Sequence, residues 1–170
     1  PGGLCPISVC GPFCGGETSI ECPTSQYLSS LLIACPLGAG ESRVRVPLLN
    51  EVPYVEMTLA WLRRQGIALE HSESLDYFRV PGGQSYSAFS CTVPADFSSA
   101  TFPAALAAVA GTEIVMEGLD MNDSQGDKQV LTILADMGAE VKVLEGGGVS
   151  VRGRSLEGRD ADLNFIPDSL

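Results

Sequence analysis

The order of the predicted secondary-structure elements repeats once along this 170-residue chain, and the repeat constrains the fold more than any other feature. Apolar periodicity and turn residues predict strand–helix–strand–helix–strand–strand at residues 17–21, 25–37, 42–46, 52–65, 67–71 and 77–80. The same order returns at residues 89–93, 96–110, 113–117, 124–137, 140–144 and 149–151. A shift of 71 residues places Pro23 on Pro94 and Gly40 on Gly111, as expected for a duplicated unit. The sequence therefore predicts an α/β (α+β) chain built from two β-α-β-α-β-β units.

A polar stretch at residues 81–87, which contains two glycines, separates the two units and is typical of a linker or hinge. Each unit has one small sheet and two helices, which make a thin core for a domain that folds alone. We therefore expect the two units to pack against each other or against partners outside this chain.

The charge balance is acidic, because 21 Asp and Glu residues outnumber 10 Lys and Arg residues and give a formal net charge of −11. No stretch collects Lys or Arg, so we expect neither a nucleic-acid groove nor binding to an anionic membrane surface. The sequence has no apolar run of about 18 residues and no charged-then-apolar leader, so we expect no membrane insertion and no secretion.

Six cysteines lie at positions 5, 10, 14, 22, 35 and 91. They form no Cys-x-x-Cys pair and His71 is the only histidine, so their spacing does not predict a zinc site. A disulfide scaffold is not expected either, because the chain has the composition of an ordinary core. Reduced thiols in a cytoplasmic protein are the default interpretation.

The helix that follows Pro23 opens on Thr24, Ser25 and Gln26. Thr24 is a natural N-cap, because its hydroxyl can accept a hydrogen bond from a free N–H group of the first turn. The helix dipole and the three polar side chains suit this start to a small phosphorylated or carboxylated ligand. A capped helix with no ligand is the alternative that spacing alone leaves open.

Seven short motifs lie in order along most of the chain. They are Thr-Ser-Gln-Tyr at 24–27, Pro-Tyr-Val-Glu-Met-Thr-Leu at 53–59, Arg-Val-Pro-Gly-Gly-Gln-Ser-Tyr at 79–86, Asp-Phe-Ser-Ser-Ala at 96–100, Ser-Gln-Gly-Asp at 124–127, Met-Gly-Ala at 137–139 and Ile-Pro-Asp at 166–168. In this order and spacing the chain resembles the EPSP synthase (3-phosphoshikimate 1-carboxyvinyltransferase) family of enolpyruvyl transferases. That family's inverse α/β barrel is built from six β-α-β-α-β-β units in two domains joined by a hinge, in agreement with the repeat.

The resemblance implies that this chain corresponds to the middle third of a family member. Residues 1–83 would be the last unit of the first, shikimate-phosphate-binding domain, 84–88 the hinge, and 89–170 the first unit of the second domain plus the start of the next unit. The implied reaction, part of aromatic amino acid biosynthesis in the cytoplasm, transfers the enolpyruvyl group of phosphoenolpyruvate to the 5-hydroxyl of shikimate 3-phosphate without metal or organic cofactor.

The same resemblance implies that an essential part of the enzyme lies outside these residues. In the family, most of the Lys and Arg residues that hold phosphoenolpyruvate come from other parts of the chain. We therefore expect the isolated chain to be inactive, and its partners to be the two substrates and the remainder of the two-domain enzyme.

The resemblance also assigns roles to five residues. Thr24, Ser25 and Gln26 match the motif that grips the phosphate of shikimate 3-phosphate, with Gln26 reaching toward phosphoenolpyruvate. Tyr54 matches a residue that lines the shikimate pocket, and a core aromatic is the alternative. Asp168 matches an acid of the interdomain cleft and is a candidate general base, the alternative being an exposed turn acid. No residue is expected to bind a metal.

Glu51 departs from the family pattern, which usually has a small hydroxyl residue near the substrate phosphate. A carboxylate that faces a phosphate repels it by roughly 1 kcal/mol even when solvent screens the charges. Glu51 therefore either points away from the site or alters the grip on the substrate. Two other acids, Asp96 and Asp127, are interpreted as structural: a helix cap, and a capping box with Ser124.

Two other functions stay open at this point. The first is a sister enzyme that transfers enolpyruvyl to UDP-N-acetylglucosamine, although the Thr-Ser-Gln and Ile-Pro-Asp motifs argue against it. The second is a non-catalytic module of the same fold that binds a phosphorylated metabolite or another protein. Glu51 is the feature that favours this second alternative.

Overall fold

The computed structural model describes residues 5–163 together with Ile166 and Asp168. Within these residues, four α-helices and seven strands form two consecutive α/β units, as the repeat predicts. The elements of the first unit are β1 (Gly16–Ser19), α1 (Gln26–Ala34), β2 (Ser42–Arg45), α2 (Val52–Arg64), β3 (Glu70–His71) and β4 (Tyr77–Val80). Those of the second are α3 (Phe97–Ala110), β5 (Glu113–Glu117), α4 (Gln129–Asp136), β6 (Glu140–Val143) and β7 (Gly148–Arg152).

The first unit has a four-stranded sheet in the order β1-β2-β4-β3, in which only β1 and β2 are parallel. Strand β2 alternates between core and solvent: Val44 is buried opposite Phe78 of β4, while Arg43 and Arg45 are exposed. Helices α1 and α2 bury their apolar faces against this sheet, and Leu28 and Val55 are fully buried there. The sheet thus fixes the starts of both helices relative to each other.

The second unit has a three-stranded antiparallel sheet in the order β5-β7-β6. Helix α3 packs its small side chains, among them Ala104 and Ala107, into this core. The backbone approaches α3 closely at Gly153, where an added Cβ would lie 2.6 Å from the carbonyl oxygen of Ala107. Alanines on the helix and glycine on the facing segment therefore allow the helix to lie tightly over the sheet.

The predicted strand at residues 89–93 is the one element of the repeat that is not formed. In the described chain β5 pairs with β7, and the segment before α3 contributes a single backbone bond to this edge, from Ala95 to Gly118 at 2.9 Å. The ring of Phe89 instead contacts Trp61 of α2, with 5.8 Å between ring centroids. The contact with the first unit competes with the strand pairing that local alternation predicted.

The predicted helix at residues 124–137 is also modified. Its first turn is a 3₁₀ turn at Gly126–Lys128, and regular α-helix begins only at Gln129. The remaining helices and strands agree with the predicted bounds to within a few residues. Within the described ranges, no helix has both the length and the apolar character needed to cross a bilayer.

Candidate functional site

The start of α1 is held against the start of α2 by backbone hydrogen bonds. Cys22 and Leu49 form an isolated parallel bridge, in which Cys22 donates to the carbonyl of Leu48 at 2.8 Å. Asn50 returns a bond to the carbonyl of Cys22 at 3.0 Å. These bonds bring Thr24 and Glu51, which follow shortly after on the two segments, close together although they are 27 positions apart in the sequence.

The carboxylate of Glu51 caps the start of α1 from this neighbouring segment. Its Oε2 accepts three hydrogen bonds: from Thr24 Oγ1 at 3.2 Å, from the Ser25 backbone N–H at 3.0 Å and from Ser25 Oγ at 2.8 Å. The Ser25 N–H bond is the largest influence on the pKa of Glu51, and with the two hydroxyls it outweighs burial and lowers that pKa. Glu51 is thus an ionised side chain that points at the predicted phosphate-binding residues, and not away from them.

Thr24 does not serve as the N-cap that the sequence predicts. Its Oγ1 lies 3.5 Å from the N–H of Gln26, which is a long contact, and its hydroxyl proton goes to Glu51. The helix begins at Gln26, and the preceding Ser25 makes no side-chain capping bond of its own. The negative charge of Glu51 replaces the local cap, because a carboxylate is stabilised at the positive end of the helix dipole.

Tyr54 links the first unit to the second. It lies in the first turn of α2, and its hydroxyl is 2.5 Å from Asp127 Oδ2 and 2.9 Å from Asp168 Oδ2. Burial is the main reason that the pKa of Tyr54 is raised, and the hydrogen bonds to Asp127 and Asp168 raise it further. Because a phenol carries one proton, the two acids share a single donor, and Tyr54 stays neutral at physiological pH.

Asp127 is the site residue that the sequence interpretation missed. The sequence predicts a capping box formed by Ser124 and Asp127. Ser124 Oγ instead makes a 3.5 Å contact with Asp123, and Asp127, which is 2% exposed, accepts a hydrogen bond from the Tyr54 hydroxyl. The sequence signal that could have identified Asp127 is the Ser-Gln-Gly-Asp motif in which it lies. The burial of its carboxylate among polar neighbours is visible only in the structure. Asp168, by contrast, is exposed.

The two clusters meet at the first turn of α2. The backbone N–H of Tyr54 donates to the carbonyl of Glu51 at 3.1 Å, so the α1 start and the Tyr54–Asp168 contact lie on either side of one helical turn. A cavity of about 470 Å³ lies beside them between the two units, lined by Pro53 and Glu56 of α2 and by Gln125 of the second unit, among others. In this arrangement the α1 start can bind an anion, and the Asp168 carboxylate can accept a proton.

Six of the ten Lys and Arg side chains form ion pairs away from the site. Their ion pairs are with five acids outside the site, namely Glu17, Glu41, Glu70, Glu140 and Glu157. Lys128 lies closest in sequence to the site, and its Nζ donates to the carbonyls of Met121 and Asp123. In the described part of the chain, no group of three or more His, Cys, Asp or Glu side chains is arranged to hold a metal ion.

The model of the family described as EPSP synthase (3-phosphoshikimate 1-carboxyvinyltransferase) matches residues 2–170. The chain belongs to the EPSP synthase family. It is 50% identical over 165 residues to the 3-phosphoshikimate 1-carboxyvinyltransferase of Ruminiclostridium cellulolyticum, covering 97% of this chain and 39% of the relative. With the enzyme of the same name from Acetivibrio thermocellus, the identity is 51% over 168 residues, covering 99% of this chain and 39% of the relative.

A plant relative and solved structures extend the comparison. The chloroplastic enzyme of the same name from Petunia hybrida is 44% identical over 85% of this chain and 30% of its own length. A solved structure of EPSP synthase from Acinetobacter baumannii superposes with a TM-score of 0.65 at 24% identity, covering 92% of this chain and 37% of that one. The superposition confirms the enolpyruvyl transferase fold. The chain spans about two fifths of the length of its curated bacterial relatives.

Proposed function

We propose that this chain forms the central part of an enzyme that transfers the enolpyruvyl group of phosphoenolpyruvate to the 5-hydroxyl of shikimate 3-phosphate. The observation that carries the proposal is the position of the α1 start beside the Tyr54–Asp168 contact, in a member of the EPSP synthase family. In this proposal the α1 start binds an anion and Asp168 accepts a proton, and the reaction requires both.

In this proposal the α1 start binds the phosphate of shikimate 3-phosphate. The Ser25 N–H, with the hydroxyls of Thr24 and Ser25, forms a converging set of donors at the positive end of a helix. The side chain of Gln26 is exposed at the same end and is free to reach toward phosphoenolpyruvate. These donors orient the substrate without any charge of their own.

Asp168 is proposed as the general base. It accepts the proton of the 5-hydroxyl as that oxygen attacks C2 of phosphoenolpyruvate, whose C3 is protonated to give a tetrahedral adduct. Loss of phosphate and of a C3 proton then gives the product. Tyr54 lines the shikimate pocket and orients the Asp168 carboxylate through the 2.9 Å hydrogen bond. A carboxylate serves as a base only when it is held within hydrogen-bond reach of the proton.

The proposed partner of this chain is the remainder of a two-domain enzyme, with residues 1–83 in one domain, 84–88 as the hinge and 89–170 in the other. Two anionic substrates need cations, and six of the ten Lys and Arg side chains pair with acids away from the site. The chain also spans only 39% of its bacterial relatives. A cytoplasmic location belongs to the proposal as well, although the plant relatives are named as chloroplastic.

Calorimetric titration of the 170-residue chain with shikimate 3-phosphate tests the proposed substrate site. We expect weak binding that is lost in a Ser25→Ala, Gln26→Ala double variant. Ser30→Ala is the matched control, because its hydroxyl is exposed on the same helix and bonds only to the carbonyl of Tyr27. Equal binding by the double variant and the control would contradict the assignment of the phosphate to this helix start.

A non-catalytic phosphometabolite-binding module is the second candidate, and the position of Glu51 on the phosphate donors is the observation that favours it. The two candidates differ in turnover. When the 170 residues are supplied with the remainder of the two-domain enzyme, the transferase releases phosphate from phosphoenolpyruvate in the presence of shikimate 3-phosphate, whereas the module binds the ligand without releasing phosphate.

A further inference from the structure

Three hydrogen-bond donors of Thr24 and Ser25 at the α1 start converge on one acceptor of this chain itself. The two hydroxyls and the Ser25 N–H lie between 2.8 and 3.2 Å from a single oxygen, Oε2 of Glu51. Ser25 is only 3% exposed, so its donors have little access to water and depend on an acceptor in this position. The position that a phosphate oxygen needs is therefore held by a carboxylate oxygen.

We propose that Glu51 is a tethered anion that occupies the phosphate-binding end of α1, so that a phosphorylated ligand binds there by displacing it. Glu51 then sets the affinity and the anion preference of the site. The inference rests on the proposed function for the identity of the natural ligand, and on the geometry alone for the competition between two anions.

The contact has the features of a displaceable ligand. It consists of hydrogen bonds to neutral donors, and the ion pairs of the described Lys and Arg residues are made with other acids. Glu51 is only partly buried, so its side chain has a path to solvent once the donors are taken. Its backbone is left-handed, with φ at 57°, a conformation that side-chain-bearing residues seldom adopt without a local reason.

An exchange of anions also explains how the site stays satisfied without ligand. A helix start with buried donors is costly when empty, because unpaired N–H and O–H groups lose their hydration. A phosphate offers more acceptor oxygens and more charge than a carboxylate, and it takes over the same donors when it binds. Glu51 and a bound phosphate therefore cannot accept the hydrogen bonds of Ser25 at the same time.

The test compares anion affinity in three variants of the chain. Glu51→Ser removes the tethered anion, Glu51→Gln keeps its shape without its charge, and Glu73→Gln removes a charge from the exposed surface of the first unit, away from the cavity between the two units. We expect inorganic phosphate and shikimate 3-phosphate to bind about tenfold more tightly to Glu51→Ser, which equals about 1.4 kcal/mol. Glu51→Gln gives a smaller gain, and Glu73→Gln changes affinity by less than about twofold, as for a solvent-screened charge.

The readout is calorimetry together with the amide spectrum of ¹⁵N-labelled protein, in which the Ser25 signal reports anion binding at α1 directly and the other signals report the fold. If Glu51→Ser loses the folded spectrum, the isosteric Glu51→Gln variant carries the comparison. A gain for both ligands, with the Ser25 signal shifted, supports the inference.

The outcomes separate this inference from the proposed function. A gain for inorganic phosphate with no binding of shikimate 3-phosphate to any variant supports the tethered anion and contradicts the proposed substrate. Binding of shikimate 3-phosphate that is equal in wild type and in the folded Glu51 variants overturns the tethered anion and leaves the proposed function standing. Folded Glu51 variants that bind neither anion more tightly than wild type overturn the inference as well.

Discussion

At the scale of single residues, Glu51 and Tyr54 lie three positions apart in one helical turn. Glu51 provides a hydrogen-bond acceptor and Tyr54 provides a donor. Glu51 brings a negative charge to neutral donors at the start of α1. Tyr54 brings one proton to two acids, Asp127 and Asp168, that come from the other unit. Both contacts lie between 2.5 and 3.2 Å, and both are made by side chains whose partners are distant in the sequence.

Replacing Glu51 with Gln tests its role as a cap through the pH dependence of stability. The pKa of Glu51 is lowered in the folded chain, so its contribution is complete above the unfolded value of about 4.3 and is lost as the pH falls through the lower folded value. We expect Glu51→Gln to reduce the free energy of unfolding by about 1 kcal/mol at pH 7, as for loss of a helix cap. The difference from wild type shrinks below about pH 4.

Urea unfolding at a series of pH values measures this difference. Glu56→Gln is the control, because Glu56 is exposed on the same helix, and its effect is expected to stay small at every pH. A Glu51→Gln effect that has the same size at pH 3 and at pH 7 would show that its charge is not what caps α1.

Replacing Tyr54 with Phe removes the donor that Asp127 and Asp168 share. Asp127 is 2% exposed, and a buried carboxylate that loses a hydrogen-bond donor is destabilised by about 1–3 kcal/mol. We expect a loss of this size in the free energy of unfolding, measured with urea. Tyr27→Phe is the matched control, since Tyr27 is 50% exposed on α1, and equal effects of the two substitutions would contradict the bridging role of Tyr54.

At the scale of elements, the starts of α1 and α3 are equivalent positions of the repeat that have acquired a carboxylate by different routes. Helix α3 has its own cap: Asp96 accepts from the N–H groups of Ser98 at 3.0 Å and Ser99 at 3.1 Å. Helix α1 has Ser25 at the position equivalent to Asp96 and receives its carboxylate from Glu51 on another segment. The acid at α3 belongs to the helix start itself, whereas the acid at α1 comes from a separate segment, and we propose that of these two helix starts α1 is the one that exchanges its carboxylate for a ligand.

Replacing Asp96 with Ala is expected to lower the free energy of unfolding by about 1–2 kcal/mol, because two N–H groups of the α3 start lose their acceptor. Asp96→Asn keeps an acceptor oxygen and should cost less. The pKa of Asp96 is lowered, mainly by the Ser99 hydroxyl, so the difference between wild type and the Asn variant declines as the pH falls through the folded pKa. Thermal unfolding of the three proteins checks the order, and an Ala variant as stable as the Asn variant would contradict it.

At the scale of the whole molecule, the second unit leaves an apolar face on α3 uncovered. Phe102 is 72% exposed, Leu106 59% and Val109 80%, at the spacing of one helical face. A contiguous apolar surface of this kind is typical of a face that packs against more protein. It agrees with a chain that spans about two fifths of its relatives.

We expect this face to bind hydrophobic dye and to promote self-association of the 170-residue chain. Replacing Phe102 and Leu106 with Gln should lower both dye fluorescence and the apparent mass in analytical ultracentrifugation, with the far-UV spectrum unchanged. Val143→Gln is the control, because Val143 is 63% exposed on β6 and away from α3. If the control lowers association as much as the double variant, the α3 face is not the interacting surface.

We also expect the 170-residue chain to release no phosphate from phosphoenolpyruvate in the presence of shikimate 3-phosphate. The reason is electrostatic: the described site presents Glu51, Asp127 and Asp168 to two anionic substrates, and the described Lys and Arg ion pairs lie elsewhere. A phosphate-release assay checks this, with a full-length relative as positive control. Turnover by the isolated chain would contradict the view that the missing part supplies the cations.

The sequence by itself determined the elements and their repetition. Helix α2, strand β4 and the Asp96 cap depend on residues a few positions apart. Apolar periodicity predicts the helix and the strand, and the position of the acid before the helix predicts the cap. The family resemblance, which rests on motifs in order, is confirmed by the match of the family model to residues 2–170, and the superposition confirms the fold. The predicted roles of Thr24, Ser25, Gln26, Tyr54 and Asp168 stay predictions, although the structure brings four of the five into the two clusters.

Only the tertiary structure decided where two side chains point and which predicted strand is not formed. Glu51 reaches Ser25 across 26 residues of sequence, and Tyr54 reaches Asp127 across 73 and Asp168 across 114. Residues 89–93 alternate as a strand does, yet Phe89 packs on Trp61 of the other unit. Periodicity measures which face of an element is apolar, but it carries no information on which distant donor meets which acceptor. Those pairings exist only after the two units have packed, because packing alone sets the distances between them.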